Sequence, residues 1–171
     1  MSEHKISGLE IGQATESDID EVRSILLEAE AWLTERGMSL WSEGMLAYGA
    51  IASGIRRGEV YLARIEGAGV GTFMLLGDDS DFWPDVPQGE SAVLHRLAVR
   101  RSTAGTGLAA EMIHWACDMA RGDGKKYFRL DCMADRPKLR AIYENLGFQF
   151  YSDWPIYGFV VARYQLELGR L

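Results

Sequence analysis

The sequence has few of the residues that mark a disulfide-stapled, metal-bound or membrane-spanning protein. Its 171 residues include only two cysteines, four prolines and three histidines. No apolar run approaches the ~20 residues of a membrane span, and the amino-terminal segment lacks the apolar core of a secretory signal. We therefore expect a cytoplasmic protein with no membrane partner. With 47% hydrophobic residues, the chain can bury a core without disulfides.

The two cysteines carry little sign of chemistry. Cys117 lies in a predicted helix and Cys132 in a predicted strand. Buried small hydrophobes are the more common role for such positions than metal ligands. We expect no metal cofactor.

Charge is divided unevenly along the chain. Residues 16–90 contain fifteen acidic side chains and five arginines, whereas residues 91–171 contain eight acidic and twelve basic side chains. The net charge is −7, and we expect no nucleic-acid partner. The basic half suits an anionic ligand and the acidic half suits a cationic one, although two ordinary solvated faces would give the same pattern.

The first half of the chain predicts a strand, two helices and a hairpin. Residues 9–14 alternate as a strand does, and Ser17 is the expected N-cap of a helix that reaches about Arg36. A second, weaker helical stretch covers residues 43–57. Two strands at 60–65 and 70–76 flank a glycine turn, which predicts an antiparallel hairpin. Residues 77–89 predict a surface loop.

The second half predicts a parallel crossover. A strand at 93–99 leads through a glycine-rich tract into a helix from Gly107, and a strand follows at 127–133. Pro137 begins another helix that ends near Leu146. Two last strands are predicted, with a break at Trp154-Pro155 between them.

The tract after Val99 is the most informative part of the chain. A glycine-rich turn at a helix N-terminus leaves backbone N–H groups unpaired, and this arrangement binds phosphate groups. Residues 105–110 also fit a loose dinucleotide fingerprint, with Asp131 at a suitable distance. The dinucleotide-binding fold needs its first glycine directly after an early strand, and several further parallel strands must follow in the sequence. The position and spacing of this turn argue against it.

The turn resembles motif A of the GNAT superfamily, the acetyl-CoA-dependent N-acetyltransferases. Its residues are Ala104-Gly105-Thr106-Gly107-Leu108-Ala109. The later Tyr143-Glu144-Asn145-Leu146-Gly147-Phe148 resembles the second signature of the family. Two departures are visible: Ala104 replaces the usual Arg or Gln, and Arg136 stands where an Asn is common. Arg100 or Arg101 are candidates to compensate for Ala104.

The resemblance implies a mixed α/β (α+β) fold. We expect a largely antiparallel sheet of about six to seven strands, about four helices, and a splayed parallel pair at the cofactor cleft. Residues 1–8 would form a tail and residues 9–171 a single N-acetyltransferase domain. The expected co-substrate is acetyl-CoA. Its pantetheine and diphosphate are expected to contact Leu97, Ala98, Val99, Ala104, Gly105, Thr106, Gly107, Leu108 and Ala109, with Arg136 or Arg140 reaching a CoA phosphate.

Three side chains are candidates for the acid–base chemistry. The resemblance places Tyr143 at the family's general-acid position, although an aromatic ring that packs a helix on the sheet is the structural alternative. His95 is the first candidate base because it is predicted to share a strand face with Leu97 and Val99, and imidazole titrates near neutral pH. A core histidine, Glu90 as the base, and a water-mediated route remain alternatives.

The acceptor is expected to be a small-molecule amine. Carboxylates and indoles of the acidic half, among them Trp32, Trp41, Glu43 and Trp83, would suit a cationic amine. A second class of function stays open, in which the same fold binds acyl-CoA as a sensor or structural module without turnover. A homodimer is one alternative for the assembly.

Overall fold

A computed structural model describes residues 5–169. The strands are β1 (Leu9–Gln13), β2 (Val60–Ile65), β3 (Ala68–Leu76), β4 (Ser91–Val99), β5 (Tyr127–Met133), β6 (Gln149–Ile156) and β7 (Phe159–Glu167). The helices are α1 (Ile19–Thr34), α2 (Tyr48–Arg56), α3 (Leu108–Gly122) and α4 (Pro137–Asn145). Of the predicted tail, residues 1–4 lie outside the described residues.

The strands form one mixed sheet in the order β1-β2-β3-β4-β5-β7-β6. The pairs β1–β2, β2–β3, β5–β7 and β6–β7 are antiparallel, and β4–β5 is parallel. This confirms the predicted fold class, the hairpin and the parallel crossover. The chain divides into two compact units. One unit runs to Met74 and includes Arg96–Trp115, and the other contains Leu75–His95 and the chain from Ala116. The single-domain assignment stays a prediction.

The first unit builds its core between β1–β3 and the helices α1 and α2. Ile25, Leu26 and Leu62 are buried there together with Ile51. The α3 helix approaches β3 closely, because a Cβ at Gly71 would lie 2.7 Å from Sδ of Met112. A side chain at this position would therefore require the end of the Met112 side chain to move.

The second unit encloses two arginines as well as apolar side chains. Phe128, Leu130 and Tyr164 are fully buried. Arg129 pairs with Glu90 at 2.9 Å, and Arg163 pairs with a further carboxylate of this unit. Buried cations need such partners, because an unpaired charge away from water is strongly disfavoured.

Three details of the predicted elements are wrong. The N-cap of α1 is Asp18 rather than Ser17, and the capping box lies at the preceding 3-10 turn (Glu16–Asp18), between Thr15 and Asp18. The 43–57 stretch splits into a 3-10 turn (Glu43–Leu46) and α2. Most plainly, Trp154-Pro155 lies within β6 and does not break it.

Proline is tolerated there because β6 is the last strand of the sheet and an edge position can lack a backbone N–H. The reversal between the last two strands instead lies at Tyr157 and Gly158, which have φ values of 50° and 85°. Two successive residues with positive φ form the tight turn that suits the twist of a hairpin.

Candidate active site

The β4 strand loses its pairing with β5 part of the way along. The two strands are in parallel register only from Ser91↔Tyr127 to Val93↔Arg129, although β4 continues to Val99. Arg96 then adopts φ 49°, a conformation that interrupts the strand alternation. The shared face that was predicted for His95 and Leu97 is therefore wrong, because a residue in this conformation separates them.

The predicted phosphate loop has the backbone geometry that its glycines require. Gly105 has φ 79° and Gly107 has φ 87°, which are conformations that other residues adopt only with strain. No heavy atom lies within 4 Å of an ideal Cβ at either position. The space beside both glycines is open, and α3 begins directly after them at Leu108.

Five backbone N–H groups of this loop have no acceptor among the described residues. They belong to Gly105, Gly107, Leu108, Ala109 and Ala110. They lie at the N-terminus of a 15-residue helix, where the helix dipole favours an anion.

The N–H groups of Ala104 and Thr106 are not available in the same way. They donate to the carbonyl oxygens of Arg101 and Thr103, at 3.3 Å each. The donor set is thus shifted toward the helix relative to the predicted span 104–109.

Two arginines near the loop differ in their availability. Arg100 contacts the carbonyl of Gly69, the hydroxyl of Ser24 and, at 3.8 Å, the carboxylate of Glu28. The guanidinium of Arg101 lies over the ring of Trp32, with 4.1 Å between its carbon and the ring centroid, and forms no ion pair among the described residues. Arg101 is therefore the better compensating charge for Ala104.

Tyr143 lies on α4 and is only 7% exposed. Its ring packs against Phe148 and Tyr164, as the structural alternative expected. Its hydroxyl has no hydrogen-bond partner among residues 5–169 and is not among the fully enclosed polar atoms. Burial, followed by the nearby Cys132 and Asp131, raises the pKa of Tyr143 above its ordinary value. The hydroxyl is thus held neutral and unpaired.

Arg136 and Arg140 lie at the start of the same helix. Arg136 is 3.8 Å from the carboxylate of Asp135. Arg140 donates from Nε to the hydroxyl of Tyr164 at 2.9 Å and from Nη1 to the carbonyl of Ala134. These contacts give Arg140 a structural role, and Arg136 is the freer of the two to meet a phosphate.

His95 is held by a carboxylate that the sequence did not indicate. Its Nε2 lies 2.5 Å from Oδ2 of Asp79, and its ring meets Phe82 edge-on. Burial alone would raise the pKa of Asp79. Hydrogen bonds from His95 and from the N–H groups of Phe82 and Asp81 outweigh this effect, so the pKa of Asp79 lies below its ordinary value. Because an ionised carboxylate only accepts, Nε2 carries the proton, and Nδ1 is left as the basic nitrogen.

A second carboxylate lies on the other side of the ring. Oδ1 of Asp131 is 3.8 Å from Nδ1 of His95 and is a buried atom without a hydrogen-bond partner. Burial raises the pKa of Asp131 to about 6, because the charged form has lost its water. The histidine therefore lies between one ionised carboxylate and one that is easily protonated.

Glu90, the alternative base, is occupied. Its carboxylate accepts from Nη2 of the buried Arg129. Removing a proton from a substrate would break the pairing that permits Arg129 to be buried. Glu90 fits a structural role better than a catalytic one.

The indoles that were expected to meet a cationic acceptor are already covered. Trp83 is 2% exposed, and the guanidinium groups of Arg129 and Arg163 both lie over its ring. Arg36 and Arg101 approach the ring of Trp32, and Trp41 packs against the core. The expectation of an indole-lined acceptor site is not supported by these contacts.

Sequence reasoning missed Asp79, Asp131 as a partner of His95, and the conformation of Arg96. Asp79 is one of four aspartates in the loop before β4, and nothing in their spacing distinguishes it. The positive φ of Arg96 had no signal either, because glycine and asparagine are the residues that announce it. Both cysteines, in contrast, are free and buried as expected.

Burial raises the pKa of Cys117 to about 12 and that of Cys132 to about 11, which leaves both thiols protonated and unreactive near neutral pH. No helix in the described part of the chain is long and apolar enough to cross a membrane.

Comparison with known proteins agrees with the arrangement of these elements. The family model described as the acetyltransferase (GNAT) family matches residues 23–148. The uncharacterized N-acetyltransferase YesJ of Bacillus subtilis (strain 168) is 33% identical over 144 residues, which cover 80% of this chain and 79% of that protein.

Two solved structures show the same fold. A GNAT-family acetyltransferase from Listeria monocytogenes 4b F2365 has a TM-score of 0.78 at 27% identity, covering 93% of this chain and 94% of that one. The PaiA N-acetyltransferase of Thermoplasma acidophilum, solved in complex with coenzyme A, has a TM-score of 0.71 at 14% identity, covering 91% and 97%. The second likeness concerns the fold alone.

Proposed function

The chain belongs to the GNAT acetyltransferase family, and we propose that it transfers the acetyl group of acetyl-CoA to a primary amine of a small molecule. The family membership supports acyl transfer. The choice of acetyl-CoA, of nitrogen as the acceptor atom and of direct transfer is our proposal. We expect this to occur in the cytoplasm, where two free cysteines would stay reduced.

The observation that carries the proposal is the set of five unpaired N–H groups at the start of α3. A diphosphate is the part of acetyl-CoA that such a set binds, because several donors and the helix dipole meet charged oxygens together. Open space beside Gly105 and Gly107 lets the oxygens approach the backbone. The PaiA complex with coenzyme A supports this ligand for the fold.

The pantetheine arm is assigned to the last residues of β4. Leu97, Ala98 and Val99 lie beyond the point at which β4 stops pairing with β5. An arm that contains amides would satisfy backbone groups of this segment. The N–H of Leu97 is the assigned donor for the oxyanion that forms when the amine attacks the thioester carbonyl.

Direct attack needs a neutral amine and a protonated leaving group. His95 is assigned as the base, with Nδ1 as the accepting atom because Asp79 holds the proton on Nε2. Tyr143 is assigned as the acid that protonates the departing thiolate. Burial raises the tyrosine pKa, and the same loss of water disfavours the thiolate, so the proton transfer stays feasible.

A free-thiol release assay tests the proposal. The protein is mixed with acetyl-CoA and with separate pools of small amines, aminoglycosides and peptides. We expect release above background hydrolysis with a small-amine pool. If acetyl-CoA binds but no pool increases the release, the protein is an acyl-CoA-binding module without turnover.

A further inference from the structure

Arg96 is a half-buried cation without a carboxylate partner. Its guanidinium makes one hydrogen bond, from Nη1 to the carbonyl of Met45 at 3.0 Å, and has no ion pair among residues 5–169. Its backbone has φ 49° in the middle of a strand. Such a conformation is unfavourable for a side chain of this size and is concentrated at functional sites.

Most of the other described arginines are paired, although the partly buried Arg23 likewise donates only to a carbonyl, that of Leu46. Nine of the remaining twelve described arginines form an ion pair. They include the most deeply buried two, Arg129 and Arg163. Arg96 instead lies near another cation, Arg57. Burial and, after it, the charge of Arg57 lower the pKa of the Arg96 guanidinium. Most of its N–H donors remain unused.

The side chain lines a recess of the first unit. The recess is small, with about 10 Å³ of enclosed space, room for about one water molecule, and it opens to solvent at its mouth. Its wall is mainly apolar and includes Val22, Leu26 and Ile51. Thr72 is the other polar residue of the lining, but its hydroxyl donates to the carbonyl of Tyr61. Arg96 therefore offers the available charged donors in this recess.

We propose that Arg96 binds a carboxylate on the acceptor, so that the substrate is an amine that also carries a carboxylate. This proposal rests on the proposed acetyl transfer and names the substrate class of the same site. Arg96 directly precedes Leu97, the assigned oxyanion donor, so the carboxylate would be held one residue from the reacting carbonyl. A guanidinium and a carboxylate match as two parallel hydrogen bonds.

A carboxylate fits better than a phosphate ester. One guanidinium with apolar surroundings neutralises a single negative charge, whereas a dianionic phosphate would leave one charge without a partner in a partly dry recess. The competing explanation is structural: Arg96 would serve only to hold the carbonyl of Met45 at the end of the 3-10 turn.

Matched substrates separate these explanations. Amino acids and ω-amino acids of increasing length are compared with their primary amides, which differ in charge but hardly in size. Aminoalkyl phosphates form a third arm. The variants are Arg96→Gln and the control Arg56→Gln, whose arginine lies at the surface in an ion pair with Glu16.

We expect the wild-type protein to prefer the best carboxylated amine over its amide by at least about tenfold in kcat/KM. Arg96→Gln should lose this preference through KM, with the amide rate unchanged, and Arg56→Gln should retain it. Acetyl-CoA affinity by calorimetry should be the same in all three proteins.

Three results would overturn the proposal. They are an equal loss for acid and amide in Arg96→Gln, a preference for the phosphate arm, and no turnover of any carboxylated amine by a protein that binds acetyl-CoA. Acetylation of uncharged amines alone would reject this inference and leave the proposed function intact. Absence of acetyl-CoA binding would reject the proposed function itself.

Discussion

Nε2 of His95 lies 2.5 Å from Oδ2 of Asp79, which fixes the proton on that nitrogen and leaves Nδ1, 3.8 Å from Oδ1 of Asp131, as the basic nitrogen. The carboxylate also stabilises the protonated ring, because it faces the charge that forms. The role of His95 as a base can therefore be tested by substituting either member of the pair, whereas the sequence pattern indicated only His95.

The first prediction concerns this pair. His95→Ala should remove the acidic limb of the pH profile of kcat/KM, because no imidazole is left to be protonated. Asp79→Asn should reduce the rate by about tenfold or more, because Nε2 loses the charged acceptor that fixes its proton. The matched control is Asp78→Asn, whose carboxylate accepts from the N–H of Gly89 instead. An acidic limb that His95→Ala leaves unshifted would remove this residue from the mechanism.

The second prediction concerns Asp131. Its folded-state pKa, raised to about 6 from 3.8, means that the folded protein holds the proton more tightly than the unfolded chain. The tighter proton binding adds to the free energy of unfolding below about pH 4, and this added stability is lost as the pH rises through about 6. Asp131→Asn mimics the protonated form, so it should increase the free energy of unfolding at pH 7 by up to about 3 kcal/mol and change little at low pH.

Urea denaturation at several pH values measures this difference. The exposed Asp123→Asn serves as the control and should show no such dependence. A stability difference between Asp131→Asn and wild type that stays constant from pH 4 to pH 7 would contradict the assignment.

The third prediction concerns the phosphate loop. Gly107→Asp should abolish acetyl-CoA binding in calorimetry, because it adds a negative charge and bulk beside the unpaired N–H groups. Gly124→Asp is a close control for backbone strain: that glycine has φ 73° and, like Gly107, has no heavy atom near an ideal Cβ. The control should bind acetyl-CoA normally. Unchanged affinity in folded Gly107→Asp would refute the site.

The fourth prediction concerns Tyr143. Tyr143→Phe should lower kcat by about two orders of magnitude, the usual scale for one acid–base group. Its thermal midpoint should hardly change, because the hydroxyl has no partner in the described structure that the mutation could break. Tyr164→Phe provides the opposite case, since its hydroxyl bonds both Arg140 and Glu144 and should matter for stability. Full activity of Tyr143→Phe would reject the general-acid role and show that Tyr143 serves only to pack α4.

The sequence was sufficient where local pattern and backbone chemistry agree. The strand at 127–133 was predicted to the residue, because a segment rich in aromatic and apolar residues lies there between clear turn signals. The glycines at 105 and 107 likewise announced their turn, since few other residues adopt that backbone.

It was insufficient where tertiary position decides the outcome. Pro155 was interpreted as a break because edge and central strands look alike before the sheet order is known. The partner of His95 comes from a loop sixteen residues earlier, and no periodicity links such positions. The positive φ of Arg96 has no signal in its side-chain type.

The acidic loop before β4 (residues 77–89) is held in place by hydrogen bonds to its own carboxylates. Its four aspartates accept hydrogen bonds from the N–H of Gly89, from His95, from the hydroxyl of Tyr157 and from Arg163. Trp83 anchors its interior. Protease cleavage requires a segment to open locally, so this loop should resist digestion although its sequence resembles a flexible linker. Any selectivity that it gives to the acceptor would then be present before the substrate arrives.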